Sequence, residues 1–172
     1  LVNTEQLNAT QKKAFNITSK WNKYFDANEI AGSIFDLWLK KLTASIWEDA
    51  FTIADIPMRF PSRDRTIELI QKTPNSKWFD NVKTSQKETL ADLVNSSFKS
   101  TCDSLEKKFG PIGKDWYWGN VKGTNVPHLA KIPGFGSQKL LIGGSKSTVN
   151  AISETNGPSW RMVIELGKNV KG

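Results

Sequence analysis

SQKETLADLVNSSFKSTCDSLEKKFGP, residues 85–111, is the stretch that decides the fold. Leu90, Val94, Phe98, Cys102, Leu105 and Phe109 recur every three or four positions, the spacing of one face of an α-helix. Ser85 and Glu88 carry the Ser-x-x-Glu pattern of a capping box, in which each side chain satisfies a free backbone N–H of the first turn. Gly110 followed by Pro111 is a stop: glycine accepts the left-handed conformation that ends a helix, and proline cannot continue it.

Toward the N-terminus the same period returns. Asn8 and Gln11 form a capping pattern, and Ala14, Ile17 and Trp21 follow at helical spacing. Residues 21–26 read as a short break. Asp26 and Glu29 repeat the cap pattern ahead of a long apolar helix. Ile30, Ile34, Trp38 and Leu42 lie on one of its faces, and Phe35, Leu39 and Ile46 lie on a second, so deep burial is expected. Ile56-Pro57 and Phe60-Pro61 mark an extended segment, because the residue before a proline avoids the helical region. Ser62 is placed to cap a short helix that buries Ile67 and Ile70 and ends at Thr73-Pro74.

After residue 113 the texture changes. Glycine and proline punctuate short apolar runs at 139–142, 148–152 and 160–166, which read as strands bounded by turns. The chain is thus expected to be α+β, with a mainly helical part over 1–112 and a strand- and turn-rich part over 113–172 sharing one core. A last strand at 160–166 would leave unpaired backbone groups at a sheet edge.

Composition bounds the function. The 172 residues are 38% hydrophobic with seven tryptophans and nine phenylalanines, which makes the chain globular rather than disordered. No apolar run approaches the roughly 18 residues of a membrane span. Leu1 is not a methionine and no tripartite leader follows it, so the chain is expected to be processed or cut from something longer. The net charge of +7 permits an anionic partner, yet Lys12, Lys13, Lys40, Lys41, Lys107 and Lys108 are scattered and read as a solvated surface.

The standard chemistries find little support. One histidine and one cysteine make a His- or Cys-based metal site very hard to build. Cys102 falls on the apolar stripe of the helix and reads as core. Gly134-Phe135-Gly136 and Gly143-Gly144-Ser145 lack the Gly-Lys-Ser/Thr ending of a phosphate loop, and the glycine pair reads as a hairpin turn. A serine triad could use only His128 as base, and no Gly-x-Ser-x-Gly elbow is present. Asn8, Asn16 and Asn95 begin chance glycosylation triplets.

A series in the second half is more specific. Asp115-Trp116-Tyr117-Trp118-Gly119 comes first, then His128-Leu129 and Ile132-Pro133-Gly134-Phe135-Gly136. Gly143-Gly144 leads into Thr148-Val149-Asn150-Ala151, and Gly157-Pro158-Ser159-Trp160-Arg161-Met162-Val163 closes the series. In order and spacing these segments resemble the late β-subunit region of the penicillin amidase (penicillin acylase) family. Lys20-Trp21-Asn22-Lys23 opening into Ser33-Ile34-Phe35-Asp36-Leu37-Trp38 resembles the same family's break and buried helix.

The resemblance implies a fragment of the αββα N-terminal-nucleophile hydrolase fold. It implies an acyl-amide hydrolase in which a Ser, Thr or Cys freed by self-cleavage attacks the carbonyl, its own α-amino group serving as base. Backbone N–H groups and an Asn side chain would hold the oxyanion, each donor worth about 3–4 kcal/mol. β-Lactam side chains and acyl-homoserine lactones are the substrates it implies. The nucleophile and the calcium ligands of the family lie upstream of the matching region, so no catalytic residue and no metal ligand is expected here. Leu1 has no side-chain heteroatom to attack with. The implied partners are the rest of the β subunit and a smaller α subunit, and the implied compartment is the bacterial periplasm or the exterior.

Trp118, His128, Asn150 and Arg161 match family positions as pocket or structural residues, Arg161 as an inward charge needing a partner. Lys122 stands where many members have histidine. Ser145, Lys146 and Ser147 stand where some have an acid, so no role passes to those four. Two other readings stay open. One is a basic, aromatic-rich module binding nucleic acid or polysaccharide, which expects tryptophans exposed beside lysines. The other is a catalytically silent acylase-fold protein. The hydrolase reading expects Trp38, Trp118 and Trp160 to be buried.

Overall fold

In the computed structural model, residues 1–52, 58–132, 134–157, 162, 164, 165 and 167 are described. Five helices and one small sheet form among them: α1 (Ala9–Ser19), α2 (Ile30–Phe51), α3 (Arg63–Lys72), α4 (Leu90–Phe109), α5 (Trp118–Lys122), β1 (Thr124–Val126) and β2 (Ser137–Leu140). The α+β expectation holds, with the balance strongly toward helix.

The two long helices make the core. Ile34 of α2 packs with Phe98, Cys102 and Leu105 of α4, with Ala14 of α1 and with Leu7 ahead of it. A second cluster further along joins Leu42, Ile46 and Trp47 of α2 to Leu90, Leu93 and Val94 of α4, and Phe79 fills its end. Trp116, fully buried, belongs to the first cluster. Its indole N–H donates to the Gly110 carbonyl at 2.9 Å, so the part after residue 113 is anchored in the helical core.

Capping chemistry sets the boundaries. The Asn8–Gln11 box forms as read, with both reciprocal bonds present. The Asp26–Glu29 box does not. Glu29 is itself the N-cap of α2, and its carboxylate accepts from Ala31 N at 3.1 Å. The Ser85–Glu88 box is also corrected. Thr89 caps α4 and pairs reciprocally with Asp92, so α4 starts one turn later. Glu88 instead accepts from Asn81 N and Thr84 Oγ1, closing the loop that precedes the helix. Two overlapping cap patterns compete here, and the one adjacent to buried Leu90 wins. Ser62 caps α3 as expected, although Ile67 and Ile70 are only half-buried and Thr66 is the buried residue of that helix. Gly110 ends α4 with φ +76°, and Lys107 and Lys108 complement the negative end of the helix dipole.

The strand reading after residue 113 is corrected more heavily. Lys114–Trp116 is a 3-10 turn and α5 follows it, where only strands and turns were expected. The sheet pairs β1 with β2 antiparallel, Thr124 opposite Leu140 and Val126 opposite Ser137, with an irregularity between. β2 overlaps the expected 139–142 strand and begins earlier. Residues 148–152 form bends and irregular chain. The 160–166 strand, Trp160 and Arg161 lie outside the described residues, as do Ile56 and Pro57. Gly143-Gly144 is not a two-residue hairpin turn. It is a site of close backbone approach: Gly144 N donates to the Phe25 carbonyl at 2.7 Å. Trp118 N and Gly119 N hold the same connection from another side, through the Glu29 carbonyl at 2.9 Å and the Ala27 carbonyl at 2.8 Å.

Candidate functional site

That junction forms the floor of a cleft of about 390 Å³. α2 supplies Asp36, Leu39 and Lys40 along one wall. Phe60 and Arg63 close a second, and residues 145–147 and 152–154 form the third. Trp118 and Lys122 of α5 lie beneath.

Trp118 is 5% exposed, and its indole N–H donates to the Gly144 carbonyl at 2.7 Å. Its ring packs on Phe25 with centroids 5.0 Å apart. Among the described residues Lys122 is the only buried lysine, 8% exposed. Its ammonium donates to the carbonyls of Gly143 at 2.8 Å and Gly144 at 3.2 Å and sits 5.6 Å from the centre of the Trp118 ring. Burial lowers its pKa, because desolvation penalises the charged form, and Glu154 opposes this from a distance. The glycine pair therefore serves two ends: its N–H side docks on residue 25, and its carbonyl side receives an indole and an ammonium.

Charges at the mouth are unevenly matched. Lys40 pairs with Asp36 at 2.7 Å, and Lys146 pairs with Glu154 at 2.7 Å. The Lys146 bond holds the Glu154 carboxyl below its usual range. Arg63 donates to Ser147 Oγ at 3.1 Å and lies 5.8 Å from the Phe35 ring centre. Among the described residues neither Arg63 nor Lys122 has a carboxylate within 4.0 Å.

Of the four residues expected at the site, the structure brings two together. Trp118 and Asn150 both border Gly144, where an added Cβ would lie 2.7 Å from the Asn150 amide nitrogen. His128 is elsewhere, in the loop between β1 and β2, with its ring 5.7 Å from that of Phe135. Its buried Nδ1 has no hydrogen-bond partner among the described residues. Arg161 lies outside the described residues. Arg63 and Glu154 were missed in the sequence. Arg63 had one signal: a cation at the first residue of a capped helix opposes the helix dipole, so its position is not explained by helix stability.

A second cavity, about 500 Å³, is lined by Phe15, Trp21, Phe25, Phe35, Trp38 and Phe98. Cys102 is buried, and its thiol is pushed up to about 12, chiefly by desolvation, which removes it as a nucleophile at neutral pH. The tryptophans speak to the binding-module reading. Trp47, Trp116 and Trp118 are buried and Trp21 and Trp38 half-buried. Among the described residues only Trp78 is exposed, with Lys77 beside it. Among the described residues no three His, Cys, Asp or Glu side chains gather to hold a metal ion, and no helix is long and apolar enough to cross a membrane.

Fold and cleft thus define a helix-dominated α+β chain in which the motif residues Trp116, Trp118, Gly119 and Gly144 pack or dock, whereas Leu129, Phe135 and Val149 of the same series are exposed. The penicillin amidase family model matches residues 1–172, and the chain belongs to that family, one of acylase-like amidohydrolases. A search of curated proteins finds no match.

Proposed function

We propose that this chain is the scaffold portion of a penicillin-acylase-like enzyme that hydrolyses an acyl amide to a carboxylic acid and an amine. The family match over the whole chain carries the reading. The nucleophile lies outside this chain, at the processed terminus of the subunit, and the αββα N-terminal-nucleophile fold is completed by the rest of the β subunit and a smaller α subunit. A β-lactam side chain or an acyl-homoserine lactone is the substrate class, which places the enzyme in antibiotic metabolism or signal degradation and in the periplasm or outside the cell. Family calcium would be held by residues outside this chain.

Burial supports a scaffold role. Family-matching residues Trp116, Trp118, Gly119 and Gly144 join the helices to the later segments through hydrogen bonds to main-chain carbonyls and through packing. The test is the intact mass and N-terminal sequence of the native protein from source cells, with amide hydrolysis assayed on the same sample. A longer chain beginning with Ser, Thr or Cys, co-purifying with a second chain and releasing carboxylic acid, is the expected result. A stand-alone 172-residue protein without amidase activity would sink it.

A further inference from the structure

We propose that the cleft between α2, Arg63 and residues 145–154 binds a small organic anion, a monocarboxylate with an apolar body. The inference rests on the cleft's geometry and stands apart from the hydrolase reading.

The charge balance at the cleft points to an anion. Four cations line it, Lys40, Arg63, Lys122 and Lys146, against two carboxylates, Asp36 and Glu154. The carboxylates are consumed at the rim by Lys40 and Lys146. Among the described residues, Arg63 and Lys122 remain. Burying an ammonium as deeply as Lys122 without an anion is costly. Its two carbonyl partners leave one of its three donors unassigned. Arg63 likewise spends one donor on Ser147, of the five a guanidinium carries. Its planar fork matches the two oxygens of a carboxylate.

The walls select the rest of the ligand. Leu39, Phe60, Trp118 and Ile152 present apolar surface in the same cleft as the two cations. An inorganic anion would leave those walls wet, and a neutral apolar molecule would leave the cations unpaired. A carboxylate carrying a short alkyl or aryl body satisfies both, and a volume of about 390 Å³ is within the range of small-ligand sites.

The probes are hexanoate and hexanamide, isosteres that differ in charge, titrated calorimetrically into the intact protein at neutral pH and low salt. Hexanamide is itself an acyl amide, so its integrity is checked after each titration; the dependence of binding on Arg63, which the hydrolase reading does not require, is what separates the two readings. Hexanoate is expected to bind at least about tenfold more tightly than hexanamide, as a charge-assisted pair implies. Arg63→Gln is expected to remove most of that preference while hexanamide binding stays unchanged. Lys122→Met should act in the same direction, but it also removes bonds to Gly143 and Gly144. The half-buried Arg63 therefore carries the test, with circular dichroism confirming the fold of each variant. Equal affinity for the two probes, no binding of either, or an Arg63→Gln variant that keeps the full preference would each overturn the proposal.

Discussion

Substituting Gly143 by alanine tests whether the later segments are truly docked on the helices. The new Cβ would fall 2.6 Å from the Phe25 carbonyl oxygen and 3.3 Å from both Ala27 N and Asp26 Cα, where real Cβ atoms do not approach below 3.0 Å. All three neighbours are backbone, so no side chain can swing aside. Nor can the Phe25 carbonyl retreat freely. It accepts from Gly144 N at 2.7 Å, and the same segment is tied down through Ala27 and Glu29 to α5. Overpacking of this kind costs about 1–3 kcal/mol. Losing the Gly144 bond adds about 1 kcal/mol. The expected destabilisation is therefore about 2–4 kcal/mol, or a fall of roughly 5–15 °C in Tm for a chain of this size. The assay is thermal and urea unfolding followed by tryptophan fluorescence, beside Gly157→Ala as control. Among the described residues nothing lies within 4 Å of a Cβ built on Gly157, and its φ is not positive, so its variant should stay within about 0.5 kcal/mol of the parent. If Gly143→Ala were no more costly than Gly157→Ala, the docking geometry at residues 25–29 would be wrong.

Three further outcomes are expected. Thr89→Ala should lower stability by about 0.5–2 kcal/mol through loss of the α4 cap, and Ser85→Ala should leave it unchanged; urea midpoints that rank the two the other way would restore the earlier helix start. Thr66→Val keeps the shape of a buried residue but leaves the Trp47 indole N–H, now 3.0 Å from Thr66 Oγ1, without its acceptor, at a cost of about 1–3 kcal/mol in the same assay. Cys102 should resist thiol reagents at pH 8 in the native state and react fully in denaturant. Its folded pKa of about 12 exceeds the ordinary 9.0, so the folded chain retains a proton that the unfolded chain releases. Its contribution is thus complete below pH 9.0 and is lost as pH rises toward 12, so the stability difference between the parent and Cys102→Ala should shrink over that window.

How much was legible in the sequence depends on what fixed each feature. The pairing of α2 with α4 was readable because burial imposes a 3.6-residue period over twenty or more positions, and no local alternative satisfies Ile34, Ile46, Phe98 and Leu105 together. Helix starts were less secure. A cap is a contest among a few adjacent polar residues, and residues 84–92 hold more than one workable arrangement. The segment after residue 113 was read as strand because short apolar runs between glycines carry no period long enough to separate strand from irregular chain. Its actual organisation comes from distant partners. Thr124 Oγ1 donates to the Ser153 carbonyl at 3.0 Å, and Asn125 N donates to the Glu154 carbonyl at 2.7 Å. No local window of sequence contains both ends of those bonds.

The glycine pair shows the same limit at the site. Gly143 and Gly144 looked like a turn because glycine in sequence announces only that a side chain is not tolerated. It does not say whether the cause is a left-handed φ or a neighbour in the way. Here both apply: Gly144 sits at φ +79°, and Gly143 faces backbone. Lys122 was noticed only as a departure from the family's usual histidine, yet its position follows from the pair. Once the Gly144 N–H is committed to the Phe25 carbonyl, the carbonyls of the pair face α5, and a buried carbonyl needs a donor. Trp118 and Lys122, one helical turn apart, supply two donors to the same short stretch. A neutral histidine offers one N–H donor, whereas lysine brings three donors and a full charge into a place where burial resists it. That buried lysine, lining the same cleft as Arg63, separates the cleft from a purely structural seam.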